Sequence, residues 1–188
     1  AEGRAQAMWI VGTGFVTGCG VWATHFVAML AYRTHLALSY DLPLTTLSIV
    51  IAVVLATAGV AIALVWRARL AGGAVVGIAI GAMHYTGMAA LGGPVEMRWD
   101  AGFVAASLVL GTVLGAAAFG IAGRGTTSLH RVFAAVILTL GICAMHFTGM
   151  TAVTLTPIAV AEAPPLSLDP AAIALVVAAI AMMLIGFA

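Results

Sequence analysis

Apolar positions run along this chain in long, nearly continuous blocks, with polar and charged residues confined to the breaks between them. Six blocks are long enough for a helix to cross the roughly 30 Å hydrocarbon core of a bilayer, which takes about 20 residues. They are Met8–Ala31, Leu44–Trp66, Ala71–Leu91, Gly102–Ala122, Val132–Val153 and Ala171–Phe187. The charges and prolines collect in the breaks: Arg33 to Pro43, Arg67 to Arg69, Gly92 to Asp100, Arg124 to Arg131 and Thr154 to Pro170. Asp169-Pro170 reads as a helix start, with Asp at the N-cap and Pro in the first turn. The pattern predicts an all-α membrane protein with six transmembrane helices.

Composition strengthens that reading. Of 188 residues 64% are hydrophobic and 7% charged, whereas a water-soluble domain carries about a quarter charged residues. The surface therefore faces lipid. All seven basic residues are Arg, and a net charge of +1 supplies no basic patch for nucleic acid. Arg4, Arg67, Arg69, Arg124 and Arg131 lie on one side of the predicted topology, and only Arg33 and Arg98 on the other. The excess places both termini and the short loops in the cytoplasm. No cleavable signal sequence is evident, because the first apolar run is too long for one. The abrupt end at Gly186-Phe187-Ala188 suggests a native chain that continues beyond this module.

The chain also repeats itself. Ala82-Met83-His84-Tyr85-Thr86-Gly87-Met88-Ala89-Ala90 in the third span matches Ala144-Met145-His146-Phe147-Thr148-Gly149-Met150-Thr151-Ala152 in the fifth. A looser copy, Ala23-Thr24-His25-Phe26-Val27-Ala28-Met29-Leu30-Ala31, stands in the first. The histidines are 59 and 62 residues apart, the length of one helix hairpin with its loops. This divides the single domain into hairpin repeats at about 8–66, 71–122 and 132–187. The residues common to all copies are the Ala two before His, the His, the Met four after it and the Ala six after it. The position after His is aromatic each time. All three motifs fall in the last third of an outward-running helix, so they share one depth, and a pseudo-threefold bundle would bring them together. Gly14 and Gly18, Gly77 and Gly81, and Gly111 and Gly115 are spaced for close helix approach, a spacing that Gly-rich membrane bundles also show in general.

Residues four apart share a helix face, so each copy offers an imidazole and a thioether in one direction: His25 with Met29, His84 with Met88, His146 with Met150. Met83 and Met145, one residue before their histidines, point about 100° away. An ionisable side chain inside a span is costly unless it faces a cavity or partner, and three at one depth multiply the cost. An interhelical hydrogen bond suffices for one isolated His. Metal ligation answers for three, and it holds each ring neutral. Imidazole with thioether is a soft, mixed donor set suited to copper in either oxidation state; zinc has no use for the methionines. Haem fits a threefold set poorly.

Other residues read more plainly. Cys19 and Cys143 lie in apolar runs, form no paired motif and read as packing residues. His35 and His130 fall in loops, His35 on the outer side, where it is a weak candidate for metal capture. Glu96 and Asp100 flank Arg98 as solvated charges. Met182 and Met183 lie outside the motif and read as filler. The hydroxyl of Tyr85 is available to the site, but its equivalents are Phe26 and Phe147. No nucleophile–base pair and no phosphate-binding glycine loop is present, so the chain itself is not read as an enzyme.

With these motifs in view, the sequence resembles the MHYT domain, a bacterial integral-membrane sensor module. The signature is spelled out in Met83-His84-Tyr85-Thr86, nearly so in Met145-His146-Phe147-Thr148, and departed from in Thr24-His25-Phe26-Val27. The likeness covers essentially the whole chain. It implies a sensory input domain of the bacterial inner membrane. Its output is a cytoplasmic cyclic-di-GMP enzyme or histidine kinase in a longer chain. It also implies a copper site near the outer face, built from the motif His and Met residues with Tyr85 nearby, and oxygen, carbon monoxide or nitric oxide as proposed signals. Carried onto this sequence, the ligands are His25, His84 and His146 with Met29, Met88 and Met150, or Met83 and Met145. A copper transporter or delivery protein and a copper-dependent membrane oxidoreductase are the alternatives. The first needs further Met or His sites across the membrane, and the second an electron route.

Overall fold

A peptide backbone in lipid has no water to bond, so a long apolar run satisfies its N–H and C=O groups within itself, as a helix. The computed structural model describes residues 2–32, 38–125, 127–158 and 166–186. The apolar runs form α1 (Glu2–Ala31), α2 (Leu42–Val65), α3 (Arg69–Ala89), α4 (Ala101–Ala122), α5 (Ser128–Thr151) and α6 (Pro170–Gly186). The first five are long and apolar enough to cross a membrane. The sixth is a shorter apolar helix of 17 described residues. Six spans were expected, the last the shortest; six apolar helices are present among the described residues, five of them long and apolar enough to cross a membrane.

Helix starts are specified locally. The side chain of Asp41 accepts from the Leu44 backbone N–H at 2.8 Å, that of Asp100 from Gly102 and Phe103, and that of Asp169 from Ala172 at 2.7 Å. Each of these aspartates therefore caps the second helix of a hairpin, and Asp169 does so as its sequence predicts. Thr127 accepts from the His130 N–H at the start of α5. Between α2 and α3 the chain reverses through Arg67, which adopts the left-handed conformation at φ 54.

Neighbouring helices pack in a chain of contacts. α2 lies against both α1 and α3, and α4 against both α3 and α5, while α6 packs on α1. Glycines bring these backbones close. A methyl group on Gly77 would meet the Gly111 carbonyl oxygen at 2.2 Å, and one on Gly18 the Val53 Cα at 2.6 Å. Large apolar side chains on the outside stay uncovered, such as Val113 at 57% and Leu175 at 73% exposure, as a lipid-facing surface requires.

The described parts of the breaks after α1, α3 and α5 contain short strands where loops were expected. β1 (Ser39–Asp41) pairs antiparallel with β2 (Leu91–Gly92) and with β5 (Ser167–Leu168). β3 (Val95–Trp99) pairs antiparallel with β4 (Val153–Pro157). These ladders tie the three hairpins together at the end where the histidine-bearing helices stop. The Asp41 N–H also donates to Ala90 O at 2.7 Å, and the Asp100 N–H to Ala152 O at 2.8 Å. Ala90 and Ala152 are two of the alanines repeated six residues after His. Their carbonyls dock the start of the preceding hairpin's second helix. His35, Arg33 and Glu162 lie outside the described residues.

Candidate metal centre

α1, α3 and α5 each carry one histidine inward at the same level. His25, His84 and His146 are 4%, 0% and 7% exposed. Their rings stand nearly perpendicular to one another, with centroids 5.0, 5.1 and 5.3 Å apart. The Nδ1 atom of His25 lies 3.2 Å from Nδ1 of His84 and 3.3 Å from Nδ1 of His146. One nitrogen has either one hydrogen or one lone pair in the ring plane, so His25 Nδ1 cannot form a full hydrogen bond with both neighbours at once. Two nitrogens bound to one ion at about 2.0–2.1 Å and tetrahedral angles stand about 3.3–3.4 Å apart. The observed spacings match. The three residues form a group able to hold a metal ion.

Two of the rings rest on glycine. A methyl on Gly87 would meet His25 Nε2 at 2.8 Å, and one on Gly149 would meet His84 Nε2 at 2.6 Å. Both Nε2 atoms are buried without a hydrogen-bond partner. Each glycine follows its own repeat's histidine by three residues, so each helix provides the floor for the ring of the helix before it. The equivalent residue in the first repeat is Ala28.

The surrounding side chains divide into those that line a cavity with the histidines and those that do not. Met83 and Met145 are buried and line one cavity together with His25 and His146. Met29 and Met88 are buried and Met150 half-buried in the same core cluster. Tyr85 does not leave its hydroxyl free. Ser107 Oγ donates to Val104 O at 2.8 Å, so it accepts from the Tyr85 O–H at 2.6 Å. In the first repeat the matching serine of α2 is Ser48, which accepts from Trp22 Nε1–H at 3.0 Å and donates to Thr45 O. The aromatic after His thus has three fates: Phe26 is buried, Tyr85 is anchored to α4, and Phe147 is 64% exposed. The glycine floors and serine anchors were not singled out from sequence. Their signals were a Gly three after His in two copies and a Ser seven after the capping Asp in two hairpins.

Among the remaining sequence candidates, Cys19 packs in the core as expected, but Cys143 is exposed and lines the cavity beside His146. His130 pairs with Thr127 at 2.6 Å at the opposite end of α5. Glu96 and Arg98 form an exposed ion pair at 3.4 Å, in keeping with solvated charges.

The comparison with known proteins agrees with the repeat. A family model described as a bacterial signalling protein N-terminal repeat matches residues 18–75, 77–135 and 140–188, with one of the three motif histidines, His25, His84 and His146, in each match. A signaling protein of Caulobacter vibrioides is 37% identical over 188 residues, 98% of this chain and 23% of its own length. Two proteins of Pseudomonas aeruginosa are similar. The bifunctional diguanylate cyclase/cyclic di-GMP phosphodiesterase MucR is 37% identical over 81% of this chain and 24% of its own length. The cyclic di-GMP phosphodiesterase NbdA is 38% identical over 84% of this chain and 21% of its own length. The chain thus spans about a quarter or less of the curated relatives it matches. No solved structure matches it.

Proposed function

The chain belongs to the MHYT family of bacterial signalling repeats, and from that premise we propose that it is a membrane sensory input domain whose three histidines hold copper. The observation that carries this reading is the convergence of three imidazoles, with His25 Nδ1 at 3.2 and 3.3 Å from the Nδ1 atoms of His84 and His146 and one ligand atom from each ring within 4.8 Å of the others, in a buried setting with no competing carboxylate in the group. His25, His84 and His146 hold the ion. Met83 and Met145 line the adjoining cavity, and Met29, Met88 and Met150 are the repeated thioethers one turn on. These sulfurs favour copper over zinc. Copper bound there supplies a redox-active centre with affinity for a diatomic gas such as oxygen, carbon monoxide or nitric oxide.

The protein's own contribution is orientation and exclusion. Gly87 and Gly149 let two rings approach the neighbouring helices. The Trp22–Ser48 and Tyr85–Ser107 bonds fix α1 to α2 and α3 to α4 on either side of the triad. Because the rings come from three separate helices, any change in what they hold alters the spacing of α1, α3 and α5. In our reading the termini face the cytoplasm of the inner membrane, the triad sits toward the outer face, and α6 passes that change to a cytoplasmic output domain. MucR and NbdA favour a cyclic di-GMP enzyme as that output.

Transport or delivery of copper is the competing reading. It requires a succession of sites across the bilayer, and the triad is the one metal-capable His/Cys/Asp/Glu group among the described residues. Elemental analysis of the purified chain in lipid nanodiscs separates the cases. The sensor reading expects about one copper per chain, lost in His84→Ala, and no copper uptake into proteoliposomes. Metal-free protein of native fold would remove the copper site.

A further inference from the structure

The three seams between the histidine-bearing helices are not alike. At the α1–α3 seam, His25 rests on Gly87; at the α3–α5 seam, His84 rests on Gly149. At the α5–α1 seam the floor position is Ala28. The position three before His is filled by Trp22 in the first repeat and by Gly81 under Leu108 in the second. In the third it is Cys143, which is exposed. Phe147 turns outward where Phe26 is wholly buried. The serine that anchors α2 and α4 is replaced in α6 by Val176, 42% exposed. α6 packs on α1 and leaves this flank of α5 uncovered. Among the described residues, no bond from Asp169 to Ala31 repeats the Asp41–Ala90 and Asp100–Ala152 ties.

What this seam leaves is a cavity of about 100 Å³, bounded by Thr24, Ala28, Met83, Cys143, His146 and Phe147 and reaching His25. Its outer wall belongs to side chains on the lipid-facing surface, and its inner wall to the triad. The one hydroxyl in the lining, on Thr24, is committed to Val21 O at 2.8 Å. Apart from the imidazoles the cavity offers no free polar group. An apolar cavity of about 150 Å³ stays dry and accepts xenon or benzene. The present space is suited to something smaller.

We propose that the α1–α5 cleft is a binding pocket, entered sideways from the bilayer, for a neutral apolar molecule of diatomic size, and that it delivers that molecule to His146. Such molecules concentrate in hydrocarbon, whereas a hydrated ion does not enter it. The pocket rests on the functional reading above only for its end point; its occupancy needs no metal.

Xenon under pressure is the probe, applied to the metal-free chain in nanodiscs with ¹³C-labelled methionine methyls. Saturable xenon-induced shifts are expected at Met83 and Met145, and only small linear shifts at surface-exposed Met8 and Met182. Cys143→Trp, which mimics Trp22, and Ala28→Phe should abolish the saturable shifts. Should these variants fail to fold, the smaller plugs Cys143→Leu and Ala28→Leu are read in the same way. Linear shifts throughout, as when a lipid chain fills the cleft, overturn the proposal. So do saturable shifts that survive the plugs. Xenon entry in a protein that binds no copper upholds the pocket and removes the copper reading; copper binding without xenon entry does the reverse.

Discussion

Substituting Gly149 by Ala adds one methyl group, placed by the backbone 2.6 Å from His84 Nε2. An ordinary carbon–nitrogen contact is about 3.5 Å, so the ring must retreat by about 0.9 Å or the two helices must part. Overpacking of this kind costs about 1–3 kcal/mol. Alanine in place of helical glycine returns up to about 1 kcal/mol, so overall stability changes little. The strain falls instead on the position of one ligand nitrogen, whose partner nitrogen stands 3.2 Å away. A loss of about 1.4–2.8 kcal/mol in the bound state corresponds to a ten- to hundredfold weaker metal affinity. Gly87→Ala, with its methyl 2.8 Å from His25 Nε2, should act in the same direction and less strongly. Gly12→Ala, where nothing lies within 4 Å, is the control. The assay is copper titration against a competing chelator in nanodiscs, with thermal unfolding measured alongside. Wild-type affinity in both Gly149→Ala and Gly87→Ala would refute the reasoning, as would an equal loss in Gly12→Ala.

Further outcomes follow from the anchors and caps. Tyr85→Phe leaves the buried Ser107 hydroxyl without its donor and should cost about 1 kcal/mol in thermal unfolding, with no loss of metal stoichiometry. Trp22→Phe should cost more, because it leaves the buried Ser48 hydroxyl without its donor and removes packing area; the unfolding midpoint measures both. Asp100→Ala removes a cap bonded to two backbone N–H groups and should lower stability by about 0.5–2 kcal/mol, with Asp100→Asn retaining most of it.

Much of this arrangement is legible in the sequence, because lipid leaves the backbone few choices. The long apolar runs had to be helices, and their ends fall within four residues of the observed ones except at the start of α1, which begins at Glu2 and not at Met8. The histidine triad was legible from repetition alone: equal spacing on alternate helices puts His25, His84 and His146 at one level. The strands were not legible. β2 and β5 are two residues long, and their pairing depends on where the helix ends are brought, not on any alternation of their own. Nor did the motif reveal the different fates of Phe26, Tyr85 and Phe147. Repetition of sequence implies equivalence, but Phe26 packs against Trp22 and Tyr40, Tyr85 bonds Ser107, and Phe147 is left 64% exposed. α2 and α4 offer Ser48 and Ser107, whereas α6 offers Val176. The departure of the third seam was present in Ala28 and Cys143 as two small changes whose meaning needed the packing of α6.

The central claim is that three imidazoles, one from each repeat, surround a single ion. X-ray absorption at the copper edge, on the copper-loaded chain in nanodiscs, tests it most directly. The account expects about three imidazole nitrogens at about 2.0 Å, and no copper–imidazole signal in His84→Ala, which holds no copper. A first shell made only of sulfur or of oxygen, or an imidazole count unchanged by that replacement, would contradict it.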